Sequence, residues 1–277
     1  MKRIWKKLGI ILSLLLVAIG LAGCGNKAVN KSNVYQHVKK TNTIIWGVRN
    51  DTPLFGLVDP KTGTLRGFEI DLAKALTKEI LGPTGKCKLF QASAKTKIPV
   101  LKNGNIDVLL ATCTITPDRA KVVDFSKPYF GAGQSLLVPK TSSLHSIKQL
   151  NKPGTKVLAV KGTTAIANIQ KVAPKAKLLE YDDYGQCFSA LKSGQGVAMS
   201  TDNGILAGIA ANNPQYHVVG GSFTTEPYGI AVDKGQHQMR DEINKAFAKL
   251  KANGTYDRLL KKWFADVPGF NYKEVEK

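Results

Sequence analysis

The sequence contains few of the residues that build disulfide frameworks, metal centres and acid–base pairs. There are 4 cysteines and 4 histidines among 277 residues. The wide spacing and apolar neighbours of Cys87, Cys113 and Cys187 predict free, buried thiols, although the sequence alone also allows one cysteine pair. The histidines fall in segments typical of a tether, a surface or a loop, so no general acid–base pair stands out. We therefore expect no metal, no cofactor and no catalytic centre.

Acidic residues are also scarce. The chain has 20 Asp and Glu against 40 Lys and Arg, which gives a formal net charge of +20. A basic chain can bind nucleic acid, but no aromatic–basic motif and no zinc-ligand spacing supports that function, and we expect no nucleic-acid partner. The lysines are spread along the whole chain, which favours a solvated surface close to an anionic membrane or cell wall.

One apolar run stands out at the start of the chain. Basic residues within 2–7 precede an apolar run at 8–21, which is too short for an ordinary membrane-spanning helix. The run ends in Leu21-Ala22-Gly23-Cys24, which resembles a bacterial lipobox and implies cleavage before Cys24 and lipidation of that cysteine. A plain signal peptide with an incidental cysteine is the alternative. We predict a signal peptide over residues 1–23 and a flexible, lysine-rich tether over residues 24–42.

From Thr43 onwards, strand and helix patterns alternate. Three apolar runs are typical of buried parallel strands, and an amphipathic helix lies between the first two. The runs cover residues 43–49, 87–91 and 106–110, and the helix covers residues 67–83. Elements in this order form right-handed βαβ units, and ligands bind at the carboxyl ends of such strands. The pattern therefore predicts one cleft, lined by loops that carry Arg49, Lys97 and Arg119.

The cleft is organised around the stretch Ala111-Thr112-Cys113-Thr114-Ile115-Thr116-Pro117-Asp118-Arg119. Thr116 is a good N-cap, Pro117 suits the first helical position, and Asp118 suits the positive end of the helix dipole. A strand that leads into a helix start directs backbone N–H groups into a cleft, where they can bind an anion. The planar guanidinium of Arg119 suits a carboxylate. An ordinary strand–helix junction with a solvated arginine is the alternative.

A second series of alternating strands and helices follows and places Asp202 at the end of a strand. An arginine on one lobe and an aspartate on the other can clamp a zwitterion. Arg119 and Thr114 would then bind the carboxylate, and Asp202 would bind the ammonium. On sequence grounds alone, a helix N-cap is the commoner role for an aspartate at this position.

Together these motifs resemble the extracellular solute-binding proteins of family 3, which serve polar amino acid ABC importers. The resemblance covers residues 43–264 and adds three motifs to the central stretch. They are Gly67-Phe68-Glu69-Ile70-Asp71-Leu72, Val123-Asp124-Phe125-Ser126-Lys127-Pro128-Tyr129 and Ser200-Thr201-Asp202. The resemblance implies a two-lobed α/β fold of the periplasmic-binding-protein type (type II), with two crossovers and a ligand cleft between the lobes. Lobe 1 would comprise residues 43–139 and 226–265, lobe 2 would comprise residues 140–225, and the tail at 266–277 would be loose.

The resemblance also assigns residues to the ligand. Thr114 and Arg119 match the carboxylate-binding positions, Asp202 matches the α-amino position, and Thr163 and Thr164 lie in a lobe 2 loop that touches ligand. The full set of predicted ligand-binding residues is Arg49, Asp51, Lys97, Thr112, Thr114, Arg119, Lys161, Thr163, Thr164, Tyr184 and Asp202.

Five positions bear on which amino acid is bound. Arg49 and Lys97 match basic positions at the side-chain end in relatives that resemble aspartate or glutamate binders, and Tyr184 matches a tyrosine of the same relatives. Leu54 and Ala94 replace aromatic residues of some glutamine-specific members. Two cations near a side-chain terminus favour a carboxylate over an amide. We therefore predict glutamate or aspartate first and glutamine second, unless Arg49 and Lys97 are solvated residues of the rim.

The resemblance further implies a monomer that captures an amino acid by lobe closure and delivers it to ABC transporter permease subunits. With the lipid anchor, it implies a position on the extracellular face of the cell membrane of a single-membrane bacterium. Two alternatives use the same fold. One is a dehydratase-type enzyme acting on a cyclic acid, and the other is an amino acid sensor or adhesin.

Overall fold

The computed structural model describes residues 33–275. The predicted signal peptide, the predicted lipidation site Cys24 and the first part of the predicted tether therefore lie outside the described residues. In the described range no helix is both long and apolar enough to cross a membrane. The three cysteines of this range are free, as predicted: Cys113 and Cys187 are buried and Cys87 is half-buried.

Strands and helices alternate along most of the described chain. The strands are β1 (Thr43–Val48), β2 (Asp51–Thr52), β3 (Gly56–Val58), β4 (Leu65–Arg66), β5 (Lys86–Gln91), β6 (Val108–Leu109), β7 (Val123–Ala132), β8 (Gln134–Pro139), β9 (Lys156–Val160), β10 (Lys177–Tyr181), β11 (Ala198–Asp202), β12 (Tyr216–Val219) and β13 (Glu226–Asp233). The helices are α1 (Val34–Thr41), α2 (Phe68–Leu81), α3 (Lys97–Lys102), α4 (Pro117–Val122), α5 (Ala165–Val172), α6 (Tyr184–Lys192), α7 (Asn203–Ala211), α8 (His237–Ala252) and α9 (Thr255–Phe264). Short 3₁₀ helices occur at Ile147–Leu150 and Tyr272–Glu274.

The first five-stranded sheet has the order β5-β1-β6-β13-β7. Strand β1 pairs in parallel with β5 and β6, as the apolar runs predicted, while β13 is antiparallel to β6 and β7. Helix α2 covers the sheet with its apolar face. Thr77 of α2 is buried against the sheet, and its hydroxyl accepts a hydrogen bond of 2.8 Å from the indole of Trp46. The bond satisfies the buried hydroxyl and the buried indole N–H, so a polar residue is tolerated at this position.

The second five-stranded sheet has the order β10-β9-β11-β8-β12. Strand β8 pairs antiparallel with β11 and β12, so residues Gln134–Pro139 belong to the second sheet. The sequence-based boundary placed residues 43–139 in lobe 1, whereas residues 134–139 pair within the second sheet. Only Gly133 separates β7 from β8, and an apolar strand pattern does not reveal which sheet a strand joins.

The chain crosses between the two sheets twice, which confirms the two-lobed arrangement. The first crossing runs from β7 to β8, and the second returns along β13. The two crossing segments lie side by side, because Glu226 of β13 is opposite Ala132 of β7. Motion of one lobe against the other must therefore pass through this paired segment.

Both ends of the described chain are more ordered than predicted. Helix α1 replaces the end of the predicted tether, and its Val34 and Val38 are buried. The predicted loose tail packs onto lobe 1: the ring of Phe270 is stacked on that of Phe130, with centroids 6.4 Å apart. The carbonyl of Val275 accepts a hydrogen bond of 2.6 Å from Gly131. In both segments a few apolar side chains among polar neighbours provide the contact, which is too few to form a periodic pattern in the sequence.

Candidate functional site

A small cavity lies between the two sheets, at the carboxyl ends of the parallel strands of both lobes. It is lined by Ala94, Lys97, Thr112, Thr114, Arg119, Thr163, Thr164, Tyr184 and Asp202. The cavity volume is about 10 Å³, close to the room that one water molecule needs. The lobes are therefore closed too far for an amino acid to enter, and entry requires them to separate.

The structure brings most of the predicted ligand-binding residues to this cavity. From lobe 1 come Lys97, Thr112, Thr114 and Arg119, and from lobe 2 come Thr163, Thr164, Tyr184 and Asp202. Three predicted residues do not line it. Arg49 and Asp51 form an ion pair next to Tyr184. Lys161 is paired at 2.9 Å with Asp182, and both of these side chains are exposed.

Arg119 connects the two lobes. The hydroxyl of Thr116 caps helix α4 and accepts a hydrogen bond of 3.2 Å from the Arg119 amide, as the sequence predicted. The guanidinium donates to the carbonyl of Thr114 at 2.9 Å in its own lobe and to the carbonyl of Gly162 at 3.1 Å in lobe 2. The arginine is thus held at the lobe interface by structural contacts and is not a solvated side chain of a junction.

Lys97 is a buried cation at the lobe 1 wall of the cavity. Its ammonium donates to the carbonyls of Ala111 and Thr112 at 3.1 Å and 2.9 Å. Burial lowers the pKa of Lys97 to about 8, so the side chain is still mostly charged at neutral pH. The two carbonyls satisfy part of its hydrogen-bonding capacity, since an ammonium has three donors.

Asp202 presents a buried carboxylate from lobe 2, with 6% of the residue exposed. Tyr228 donates to it at 2.5 Å, and burial raises the pKa of Asp202 to about 6. The commoner role considered for this residue, a side-chain N-cap, is not found, because the carboxylate makes no capping hydrogen bond with the described part of α7. Asn203 instead accepts a hydrogen bond from Gly204 at 2.8 Å, which leaves Asp202 facing the cavity.

Arg49 is completely buried and its charge is matched inside the protein. It donates to both carboxylate oxygens of Asp51, at 2.6 and 2.8 Å, and its guanidinium carbon lies 5.5 Å from the ring centroid of Tyr184. Its Nη1 atom has no hydrogen-bond partner among residues 33–275. Asp51 also accepts a hydrogen bond of 3.4 Å from the amide of Tyr184. This ion pair therefore supports the Tyr184 wall of the cavity from behind.

Two buried residues that contact the site were not among the predicted set. Glu69 accepts a hydrogen bond from the amide of Thr112, and Tyr228 donates to Asp202. A signal for Glu69 was present in the sequence, because a carboxylate next to the apolar face of an amphipathic helix needs a partner. Tyr228 carried no such signal, because it lies in the returning strand, far from Asp202 along the chain.

Comparisons with known proteins agree with this geometry. The family model for bacterial extracellular solute-binding proteins, family 3, matches residues 44–266. An ABC transporter glutamine-binding protein of Bacillus subtilis is 48% identical, over 92% of this chain and 95% of its own. A glutamine-binding protein of Geobacillus stearothermophilus is 46% identical, over 84% of this chain and 93% of its own. Among solved structures, an ancestral amino acid-binding protein described as a precursor of cyclohexadienyl dehydratase has a TM-score of 0.78 and 36% identity, over 84% of this chain and 100% of its own.

Proposed function

Because the chain belongs to the bacterial extracellular solute-binding proteins of family 3, we propose that it binds glutamine between its lobes and delivers it to the permease of an ABC importer. The observation that carries the proposal is the pair of opposite charges in one cavity, Arg119 from lobe 1 and Asp202 from lobe 2. The arginine matches an α-carboxylate and the aspartate an α-ammonium, so an amino acid satisfies both. The relatives at 48% and 46% identity are binding proteins, as expected for a chain that is not an enzyme.

The balance of charges favours an uncharged ligand side chain. Arg49 is neutralised by Asp51, and Lys97 is attracted by the buried carboxylate of Glu69. Once a zwitterionic backbone has paired with Arg119 and Asp202, each of the two remaining cations, Arg49 and Lys97, already has a carboxylate of the protein acting on it. An amide avoids the cost of a buried unpaired charge. The names of the two most similar relatives given above point to the same ligand.

An acidic amino acid is the second candidate, and the sequence-based preference for glutamate or aspartate stays a prediction. Two donors support it: the unpartnered Nη1 of Arg49 and the remaining N–H of Lys97. If Asp51 moved away from Arg49 as the lobes opened, both cations could face a ligand carboxylate.

Isothermal titration calorimetry separates these ligands. Purified protein is titrated with glutamine, glutamate, aspartate and arginine at the same pH and ionic strength. We expect glutamine to bind most tightly, with glutamate weaker by about tenfold or more, the difference that one unmatched charge of about 1.4 kcal/mol would make. Tighter binding of glutamate would overturn the choice of ligand but not the family. Incubation with a cyclohexadienyl acid, followed by product analysis, tests the dehydratase alternative, for which no product is expected.

We also propose that the protein is a monomer anchored on the outer face of the membrane through a lipid on Cys24. The lipobox-like sequence Leu21-Ala22-Gly23-Cys24 supports the anchor. Metabolic labelling with a radioactive fatty acid should label the wild-type protein and not the Cys24→Ala variant. Equal labelling of both would exclude this anchor. From the sheet pairing, we propose that lobe 2 begins at Gln134 and that the chain returns to lobe 1 at Glu226.

A further inference from the structure

Glu69 is a buried carboxylate held on a rigid element. It lies in the first turn of α2, and no part of it is exposed. The amides of Phe68 and Glu69 donate to the carbonyls of Leu54 and Phe55 at 2.7 and 3.1 Å. Gly67 precedes the helix with a φ of +153°, and a Cβ atom there would lie 2.0 Å from the carbonyl oxygen of Phe55. The start of the helix is therefore fixed, and the carboxylate has little freedom to move.

This carboxylate contacts the loop that lines the cavity. Its Oε1 atom accepts hydrogen bonds from the amide of Thr112, at 2.6 Å, and from the hydroxyl of Tyr129. Its Oε2 atom has no hydrogen-bond partner within the part of the chain that the structure describes. Burying a carboxylate costs free energy. Helix α2 and the two hydrogen-bond donors, the amide of Thr112 and the hydroxyl of Tyr129, do not themselves require a charged acceptor at this position. A structural role alone therefore does not explain why an acid occupies this position.

The contact with Thr112 holds an unfavourable backbone conformation. Thr112 has a φ of +42°, and β-branched residues rarely adopt this left-handed region. In that conformation the amide of Thr112 points to Glu69 while its carbonyl accepts from Lys97 at 2.9 Å. Two residues further along, the carbonyl of Thr114 holds Arg119 at 2.9 Å. The loop at 111–114 thus sets the positions of both lobe 1 cations.

We propose that Glu69 is a positioning residue of the ligand site, which rests on the amino acid binding proposed above. Its carboxylate holds Thr112 in the left-handed conformation and so places Lys97 and Arg119 against the lobe 1 wall of the cavity. It does not contact the ligand, and it acts through the loop.

The ionised carboxylate of Glu69 also acts on the charge of Lys97. Burial raises the pKa of Glu69, and the hydrogen bonds from Tyr129 and Thr112 and the charges of Lys97 and Arg49 oppose that rise. The groups that influence Lys97 electrostatically from its own lobe are the carboxylate of Glu69, the thiol of Cys113 and the guanidinium groups of Arg49 and Arg119. From lobe 2, the carboxylate of Asp202 also interacts with the Lys97 charge. The two arginines lower the pKa of Lys97, and Glu69 opposes them. Loss of the Glu69 charge should therefore lower the pKa of Lys97 below about 8. This titration reports whether the Glu69 charge reaches the site through Lys97, and a variant that only lost stability, with the charge at position 69 kept, would leave it unchanged.

The test compares Glu69→Gln with Glu79→Gln, a partly exposed glutamate of the same helix. Glutamine affinity is measured by calorimetry between pH 6 and pH 9.5, and the side chain of Lys97 is titrated by NMR in ligand-free protein. For Glu69→Gln we expect glutamine affinity to fall about tenfold or more at pH 7, as loss of a charged hydrogen bond implies. We also expect the pKa of Lys97 to be lower than in the wild type. As pH rises, glutamine affinity should therefore begin to fall at a lower pH than in the wild type. Glu79→Gln should match the wild type in each measurement.

Two results would overturn the proposal: wild-type affinity in Glu69→Gln, or reduced affinity with an unchanged Lys97 titration. If Glu69→Gln does not fold, Glu69→Asp keeps the charge but is too short to reach Thr112. It should bind more weakly with a Lys97 pKa close to that of the wild type, and wild-type affinity would also overturn the proposal. The NMR titration needs no ligand, so failure of the wild type to bind any amino acid would refute the proposed function and leave the Glu69–Lys97 coupling measurable.

Discussion

At the scale of single residues, the role of Asp202 depends on its charge. The carboxylate faces the cavity, and its hydrogen bond from Tyr228 is 2.5 Å long. Asp202→Asn keeps the shape and removes the negative charge. We expect glutamine affinity to fall by about 100-fold, since removing one partner of a buried charge pair costs about 2–5 kcal/mol. Calorimetry measures the loss.

Asp182→Asn is the matched control for this change. Asp182 also belongs to lobe 2, but its side chain is exposed and pairs with Lys161. Its removal should change the affinity by less than about threefold, because exposed ion pairs contribute little. Equal losses in the two variants would contradict a specific role for Asp202 in binding the ammonium.

Asp202 also predicts how binding depends on pH. Burial raises the pKa of Asp202 to about 6 in the ligand-free protein, and the ligand ammonium binds the ionised form. Below about pH 6 the affinity should therefore fall by up to about tenfold for each pH unit. Titrations from pH 7.5 to pH 5 measure this slope, and Asp202→Asn should remove it. A wild-type profile that is flat over this range would contradict the assignment.

The same group affects stability in the opposite direction to an ordinary carboxylate. The unfolded chain loses this proton near the usual pKa of 3.8, and the folded chain loses it near 6. Between these values the folded state binds more protons, so the contribution of Asp202 to the free energy of unfolding falls as pH rises. A bound ammonium, which favours the ionised carboxylate, should reduce this loss.

At the scale of elements, the loop after β9 limits how closely the lobes approach. A Cβ atom on Gly162 would lie 2.7 Å from the carbonyl oxygen of Ala94 in the opposite lobe. Gly162→Ala should therefore prevent full closure and weaken glutamine binding by about tenfold or more, since the ligand loses part of its contact with one lobe. Small-angle scattering with and without glutamine should show a smaller compaction than in the wild type.

Gly154→Ala separates closure from backbone strain. Gly154 has a φ of +81°, close to the +79° of Gly162, but nothing lies within 4 Å of its Cβ position. Both variants bear the same conformational cost, of about 1 kcal/mol. Only Gly162→Ala should affect closure and affinity, and equal effects would show that strain alone is responsible.

Elements with strong local patterns were predictable from the sequence. Helix α4 begins at Pro117 after the Thr116 cap, as the residue types require, and β1 and α2 follow their apolar periodicity. The assignment of β8 to the second sheet was not predictable, because it depends on pairing with β11 and β12. The order of the tail was missed for a similar reason: Phe270 gains its partner, Phe130, only in the folded chain.

The candidate site shows the same division. The positions of Arg119 and Asp202 followed from strand ends and the family resemblance, and both line the cavity. The neutralisation of Arg49 could not be predicted from the sequence. The sequence does not reveal that both carboxylate oxygens of the nearby Asp51 accept hydrogen bonds from this arginine. A ligand preference argued from the number of basic residues therefore overcounts the cations that are available to a ligand.

At the scale of the whole molecule, a buried polar network joins both crossing segments to lobe 2. The amide of Asn168 in α5 donates to Gln134, at 2.6 Å, and to Glu226, at 2.7 Å. Gln134 is the first residue of β8, and Glu226 is the first residue of β13. Gln134 also donates to Ser200 at 2.8 Å. Because these contacts tie the lobe 2 ends of both crossings together, bending should occur on their lobe 1 side, and the network should persist in open and closed forms.

This arrangement predicts a loss of stability without a comparable loss of binding. Asn168→Ala leaves the carboxylate of Glu226 buried without its donor and should lower the free energy of unfolding by about 3 kcal/mol, measured in urea. Adding Glu226→Gln should recover part of this loss, so that the two changes are not additive. Asn212→Ala, which removes a hydrogen bond of 3.1 Å to Gly208 outside the network, should cost about 1 kcal/mol. If Asn168→Ala instead weakened glutamine binding about tenfold with unchanged stability, the network would break during closure, and the bending point would lie within it.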